Sequence, residues 1–377
     1  MNLRLFSCWL AGLVAPILLF VSCATAENPI PETRPETRIV AIGDLHGDYD
    51  AYESLLTEAE LIDNRGRWVG GKTILIQMGD VPDRGPDSLK IILHLQKLQR
   101  QAARKHGRVI ALIGNHEAMN MTGDLRYVHP GEYQTFVTRN SKLLRERTYE
   151  SNREVIDAFY LAQNAALSSV EIKTKWFEDT PLGKIEHQSA WAPTGKIGKW
   201  VMQNPAVAIV GDSLYVHGGV SEKYASYSVD DINQMAAAAL AERSTYPMNI
   251  INDELGPLWY RGNVRPLTIS EPPVVSNLET TGEPIMAAVT DTPLSQEEEI
   301  DLVLRTFGVA RIIVAHTPAL QGIKASSGGK LIQIDTGIAD YYGGTQSFLE
   351  IRNGVLYAHD NGVVTITHDE NVEEGAQ

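Results

Sequence analysis

Three short apolar runs, Arg38-Ile-Val-Ala-Ile42, Thr73-Ile-Leu-Ile-Gln-Met78 and Val109-Ile-Ala-Leu-Ile113, punctuate the first third of the chain and read as strands. Between them, apolar positions recur at helical spacing. One helix is expected from about Tyr49 to Glu60, with Asp48 as its cap. Another is expected from about Ser88 to Lys105, carried by Leu89, Ile92, Leu95 and Leu98, with Pro86, Asp87 and Ser88 marking its start. The runs thus repeat as strand–helix–strand units. A doubly wound sheet of such units sets the carboxyl ends of its strands along one edge, where ligands bind. From Met119 to Lys199 the rhythm gives way to helices and loops, which predicts an inserted cap over about 119–200. Strands resume at Ala206-Val-Ala-Ile-Val210 and Leu214-Tyr-Val216. Ser295-Gln-Glu-Glu298 is a capping box for a helix that stops near Gly308. Asn353-Gly354 and Asn361-Gly362 signal hairpins, so a β-meander is expected over about 331–368.

Polar residues cluster where the apolar runs stop. The first three runs lead into Gly43-Asp44-Leu45-His46-Gly47, Gly79-Asp80-Val81-Pro82-Asp83-Arg84-Gly85 and Gly114-Asn115-His116-Glu117. Asp44 to Asp80 is 36 residues and Asp80 to Asn115 is 35, the length of one strand–helix–strand unit. The three motifs should therefore meet in one cleft. Tyr215-Val-His217-Gly-Gly219 and Val314-Ala-His316-Thr-Pro318 each place a further histidine directly after a strand. One strand-end histidine is ordinarily structural. Four of them with Asp44, Asp80 and Asn115 point to a divalent metal pair. His94, His106, His129, His187, His359 and His368 lack that position and read as surface or structural.

Composition narrows the setting. A chain of 377 residues, 43% hydrophobic and 21% charged, is globular, with one large domain and an insertion as the simplest organisation. A formal net charge of −14 argues against nucleic acid as a partner, but not against a single phosphate entering a metal-lined cleft. Arg4 is the only charge before Glu27, and an apolar stretch from Trp9 to Val21 precedes Ala24-Thr25-Ala26. Residues 1–26 therefore read as a signal peptide, and the protein as exported to the periplasm, with no membrane attachment once the leader is removed. An uncleaved anchor is the alternative. A lipoprotein modified at Cys23 is a third, poorly matched by Phe20. Cys8 and Cys23 are the only cysteines, so the remainder can form no disulfide. Residues 27–37, with three prolines, read as a linker, and 38–377 as the domain.

The five elements together resemble the calcineurin-like metallophosphoesterases, and within them the phosphoprotein-phosphatase family, whose pattern is GDxHG, GDxxDRG, GNHE and two later histidines. The resemblance runs from Arg38 to about Gly344. Met119-Asn-Met-Thr-Gly-Asp-Leu-Arg126, Pro257-Leu-Trp-Tyr-Arg261, Asp335-Thr-Gly337 and Tyr342-Gly-Gly344 look further like the Shewanella-like protein phosphatases. The fold implied is α/β, with mixed β-sheets sandwiched between helices and an insertion after the third motif. The resemblance implies two divalent or transition ions (Mn, Fe, Zn or Co), with Asp44 and His46 on the first, Asp80 bridging, and Asn115, His217 and His316 on the second. It implies a hydroxide shared by those ions attacking phosphorus in line, with His116 as general acid and Asp83 orienting it. Arg84, Arg261 and Asn115 would contact phosphate oxygens. Glu117 is given no catalytic role; bracing of the motif turn is its structural reading. Trp259 and Tyr260 read as packing residues.

The activity implied is hydrolysis of phosphate monoesters on phosphoproteins, with phosphotyrosine preferred. Hydrolysis of a dinucleoside polyphosphate or another small phosphate ester is the alternative. An exported binding protein on an inactive phosphatase fold is a third reading, against which the intact ligand set argues.

Overall fold

The computed structural model describes residues 37–265 and 294–369; the expected leader, and the linker except Thr37, lie outside the described residues. The chain opens with β1 (Ile39–Ile42), α1 (Tyr49–Glu58), β2 (Ile74–Gln77), α2 (Ser88–Ala103) and β3 (Arg108–Ala111). Helices follow: α3 (Asn115–Thr122), α4 (Pro130–Thr135), α5 (Ser141–Ser151), α6 (Arg153–Gln163), α7 (Ser169–Asp179), α8 (Lys184–Trp191) and α9 (Lys196–Val201). Next come β4 (Val207–Val210), β5 (Ser213–Val216), α10 (Glu222–Ala225), α11 (Val229–Ala241) and α12 (Gln296–Phe307). The chain closes with β6 (Arg311–Val314), β7 (Lys324–Ser326), β8 (Leu331–Gln333), β9 (Ser347–Arg352), β10 (Val355–Asp360) and β11 (Val363–Asp369).

Two mixed sheets result, ordered β11-β10-β9-β1-β2-β3 and β4-β5-β6-β8-β7. In the first, β1, β2 and β3 are parallel; in the second, β5, β6 and β8 are parallel. Alternation of side chains across each strand decides the layering. Ile39 and Ala41 join Ile76, Ile110, Tyr215, Ile313 and Ile332 in one buried cluster between the sheets. Val40, Ile42, Leu75, Val109, Leu214 and Ile312 face the other way and join Leu55, Leu56, Ile91, Leu95, Ala236 and Ile300 of the helices. The architecture is helix–sheet–sheet–helix. Where a doubly wound sheet would carry helices on its second face, this one carries another sheet. Each fully buried Leu or Ile contributes about 1.5–3 kcal/mol, so both interfaces are strongly fixed.

Local signals behave as their chemistry dictates. Asp48 accepts the Ala51 N–H and caps α1. Ser295 and Glu298 form the reciprocal capping box of α12, which Gly308 ends in the left-handed region. The pairs Asn353-Gly354 and Asn361-Gly362 all have positive φ, as tight hairpins between β9, β10 and β11 require. At α2 the side chain of Asp87 makes no capping bond. The Glu132 carboxylate reaches across from α4 instead, accepting from Ser88 N at 3.0 Å and Leu89 N at 3.3 Å.

Two expected boundaries differ. The meander begins at β9: Leu331–Gln333 pairs parallel to β6 in the other sheet, because Leu331 buries on the helix side and Ile332 packs beside Ile313 between the sheets. The stretch 119–200 is not one separate cap. Met119 and Met121 lie buried on α3, while Trp191, Ile197 and Val201 of α8 and α9 belong to the main core. Only α5, α6 and α7 build a core of their own, from Tyr149, Ile156, Tyr160 and Ile172. Among the described residues no helix is long and apolar enough to cross a membrane.

Candidate metal centre

Six parallel strands end at one edge of the sandwich, and each end supplies a polar residue. Asp44 and His46 follow β1, Asp80 follows β2, Asn115 and His116 follow β3, His217 follows β5, His316 follows β6 and Asp335 follows β8. The turns are knitted together through their backbones. Leu45 N and His46 N both donate to Asp80 O at 3.0 Å, and Gly85 N donates to His46 O at 2.8 Å. The first two motifs approach so closely that a Cβ on Gly47 would lie 2.5 Å from Gly85 O. Glu117 ties in the third. Its carboxylate accepts from Asp80 N (2.9 Å), Val81 N (2.9 Å) and Gly114 N (2.8 Å). His46, Asp80, Asp83, Arg84 and His316 all carry positive φ, a strained geometry that the surrounding turns impose.

The structure brings Asp44, His46, Asp80, Asn115, His116, His217 and His316 into one buried cluster. One ligand atom each from His46, Asp80 and His116 lie within 4.8 Å of one another, and so do those of Asp80, His217 and His316. Asp80 belongs to both sets. Asp44 Oδ2 is 3.9 Å from His46 Nε2, and its Oδ1 is 3.5 Å from His316 N. Two imidazoles are fixed by carbonyl acceptors: His46 donates Nδ1–H to Pro82 O (3.2 Å) and His217 to Met78 O (2.9 Å). Their Nε2 atoms therefore face the carboxylates, as metal ligands require. His217 Nε2 lies 3.3 Å from Asp80 Oδ2 and 3.0 Å from Asn115 Oδ1. His316 Nε2 is buried with no hydrogen-bond partner among the described residues.

This electrostatic arrangement fits cations. Asp44, Asp80 and Asp335 are all buried within reach of one another, and uncompensated carboxylates there would be costly. Burial, then repulsion from Asp335 and Asp80, pushes Asp44 well above the usual carboxylate range. Burial likewise raises Asp335 to about 6. Burial opposes the charged form of Asp80, yet His217 and His116 hold it well below its ordinary value. Burial drops His46 to about 3, which leaves it neutral and able to coordinate. Positive ions among these groups would relieve the carboxylate repulsion and use the orphaned His316 nitrogen.

His116 sits differently from the other three histidines. Its Nδ1 is 2.5 Å from Asp83 Oδ2, which leaves only Nε2 facing the cluster. Burial disfavours its imidazolium, but Asp80 and Asp83 outweigh that and raise its pKa above the ordinary value. Asn120, four residues on along α3, donates to Asp83 Oδ1 at 2.9 Å and to His116 O at 3.0 Å. Arg84 lies half-buried at the mouth. Arg261 spends one amino group on the His316 turn, bonding His316 O and Thr317 Oγ1 at 2.9 Å each. Trp259 bonds Ile251 O while its ring stands 5.8 Å from that of His316. Tyr260 is buried against Glu299.

Sequence reasoning left Asn120 and Asp335 without a role at the site. Asn120 carried a usable signal in its helical i+4 offset from His116. Asp335 follows an apolar strand just as Asp44 and Asp80 do, but its strand is short and lacks the leading glycine.

A model of the calcineurin-like phosphoesterase family matches residues 37–320. Shewanella-like protein phosphatase 2 of Arabidopsis thaliana is 31% identical over 350 residues, which cover 91% of this chain and 81% of that one. Shewanella-like protein phosphatase 1 of Plasmodium berghei is 30% identical over 196 residues, 52% of this chain and 42% of that one. Among solved structures, a cold-active protein-tyrosine phosphatase of a psychrophilic Shewanella species aligns with a TM-score of 0.61 and 25% identity, over 90% of this chain and 84% of that chain.

Proposed function

The chain belongs to the calcineurin-like phosphoesterase family, and from that premise we propose that it is a metal-dependent phosphomonoesterase acting on phosphoproteins, with phosphotyrosine preferred. The observation that carries the reading is Asp80, common to the buried groups His46–Asp80–His116 and Asp80–His217–His316, with His116 of the first group paired to the Asp83 carboxylate. Asp44, His46 and Asp80 are the residues assigned to a first ion, and Asp80, Asn115, His217 and His316 those assigned to a second. A divalent pair held there supplies Lewis acidity that polarises a phosphoryl oxygen and acidifies water. The phosphatases named above support an aryl phosphate on a protein, and Tyr342, whose ring stands 5.2 Å from that of His46, offers an aromatic face beside the cluster.

The protein's own groups then divide the work. His116 delivers the Nε2 proton to the leaving oxygen as its bond to phosphorus breaks, and water supplies the oxygen that replaces it. Asp83 holds the imidazole and favours its charged form, and Asn120 fixes which carboxylate oxygen does so. Arg84 grips the non-bridging phosphate oxygens. The test is a substrate panel on purified protein: a phosphotyrosine peptide, a phosphoserine peptide and diadenosine tetraphosphate, each with and without chelator. The proposal expects chelator-sensitive turnover, fastest on phosphotyrosine. Faster hydrolysis of the dinucleotide would overturn the substrate class, and chelator-resistant turnover would overturn the mechanism.

A further inference from the structure

Arg84 is held unlike an ordinary surface arginine. Its φ is +67°, and its N–H donates to Tyr127 O at 3.0 Å. The guanidinium carbon lies 3.9 Å from the centre of the Tyr127 ring and 4.9 Å from that of Tyr341. One amino group donates to Tyr341 Oη at 3.3 Å. Its Nε–H is buried and has no hydrogen-bond partner among the described residues. Tyr127 follows α3 and Tyr341 follows β8, so the two rings come from opposite halves of the chain. They also continue into the site: Tyr127 stands 5.2 Å from the His116 ring, and Tyr341 stands 5.0 Å from Tyr342, itself 5.2 Å from the His46 ring.

We propose that Tyr127 and Tyr341 are a clamp that positions Arg84 for phosphate, an inference that rests on the phosphate-gripping role given to Arg84 above. The logic is one of unspent donors. A carboxylate partner would fix the arginine but occupy its in-plane N–H groups and compete with the anion. Aromatic rings steady the cation without bringing a competing negative charge, and only one amino group is spent, on the neutral Tyr341 Oη, so the other N–H groups stay available. Among the described residues no carboxylate pairs with Arg84, and its buried Nε–H is left for a ligand to satisfy. Tyr127 and Tyr341 act through Arg84, so they are positioning residues. They should govern anion affinity more than the chemical step.

The test compares Tyr341→Leu, Tyr341→Phe, Tyr127→Leu and Arg84→Met in metal-loaded protein. Two constants are read: KM for p-nitrophenyl phosphate and the inhibition constant of inorganic phosphate. Tyr341 is 61% exposed, so its replacement does not endanger folding. Each Leu variant should raise both constants about 2- to 30-fold, the range expected for a lost cation–π contact, with a smaller change in kcat. Tyr341→Phe should keep most of the parent's affinity. Adding Tyr341→Leu to Arg84→Met should change neither constant further. If Arg84→Met weakens phosphate binding but Tyr341→Leu does not, the clamp is wrong and the role of Arg84 stands. If Arg84→Met leaves phosphate binding unchanged, the role of Arg84 itself falls, and the clamp with it.

Discussion

Replacing Asp83 by Asn separates charge from shape at the proposed acid. In the parent, Asp83 Oδ2 faces His116 Nδ1 at 2.5 Å while Asn120 Nδ2 donates to Oδ1. An Asn side chain at 83 must keep its oxygen toward Asn120, because two amide N–H groups cannot face each other. Its own NH2 then points at His116 Nδ1, which must accept. That arrangement stabilises the neutral imidazole and removes the carboxylate that favoured the imidazolium. A hydrogen bond to a charged group is worth about 1.5–3 kcal/mol, so the charged form should lose a factor of about 10–150. Both groups are buried, and solvent screens little of this.

The sign follows from the role. An acid must be protonated, so turnover falls as pH rises through the His116 pKa, and Asp83→Asn should move that alkaline limb to lower pH. The assay is kcat against pH on phenyl phosphate and on p-nitrophenyl phosphate. Phenolate is the poorer leaving group and should suffer more. A variant whose alkaline limb and leaving-group dependence both match the parent's would refute the claim that Asp83 works through His116.

Three further outcomes are expected. Asp80→Asn should lower metal content and turnover together, since the shared carboxylate loses its charge; elemental analysis beside an activity assay reads both. Glu117→Gln should cost about 1–3 kcal/mol, because one of three backbone N–H groups then meets an amide N–H2 in a buried site; a lower urea midpoint measures it. Gly114→Ala would place a Cβ 2.2 Å from Asp80 Oδ1, so Asp80 must move; bound metal should fall while circular dichroism keeps the parent's secondary structure.

Legibility in the sequence followed chemical locality. The turn glycines, the capping box of α12 and the two Asn-Gly hairpins each act within a few residues, and each was readable. So was the family, because its five motifs lie at strand ends whose order the chain preserves. What escaped depends on long-range closure. Leu331–Gln333 looks like its neighbours in the meander, and only pairing with β6 assigns it to the second sheet. Glu132 caps a helix more than forty residues earlier. Tyr127 and Tyr341 are ordinary aromatics until two loops bring them against one arginine. Met119 and Met121 are buried on α3, so no separate layer opens there; only α5, α6 and α7 pack on a core of their own, and no local signal marks that later start.

The most direct measurement is anomalous diffraction from crystals of catalytically active protein, with elemental analysis of the same preparation. Two ions per chain should appear, one on each side of the Asp80 carboxylate, the first near Asp44 and His46 and the second near Asn115, His217 and His316. Active protein carrying no transition metal, or ions bound elsewhere with this cluster empty, would contradict the account.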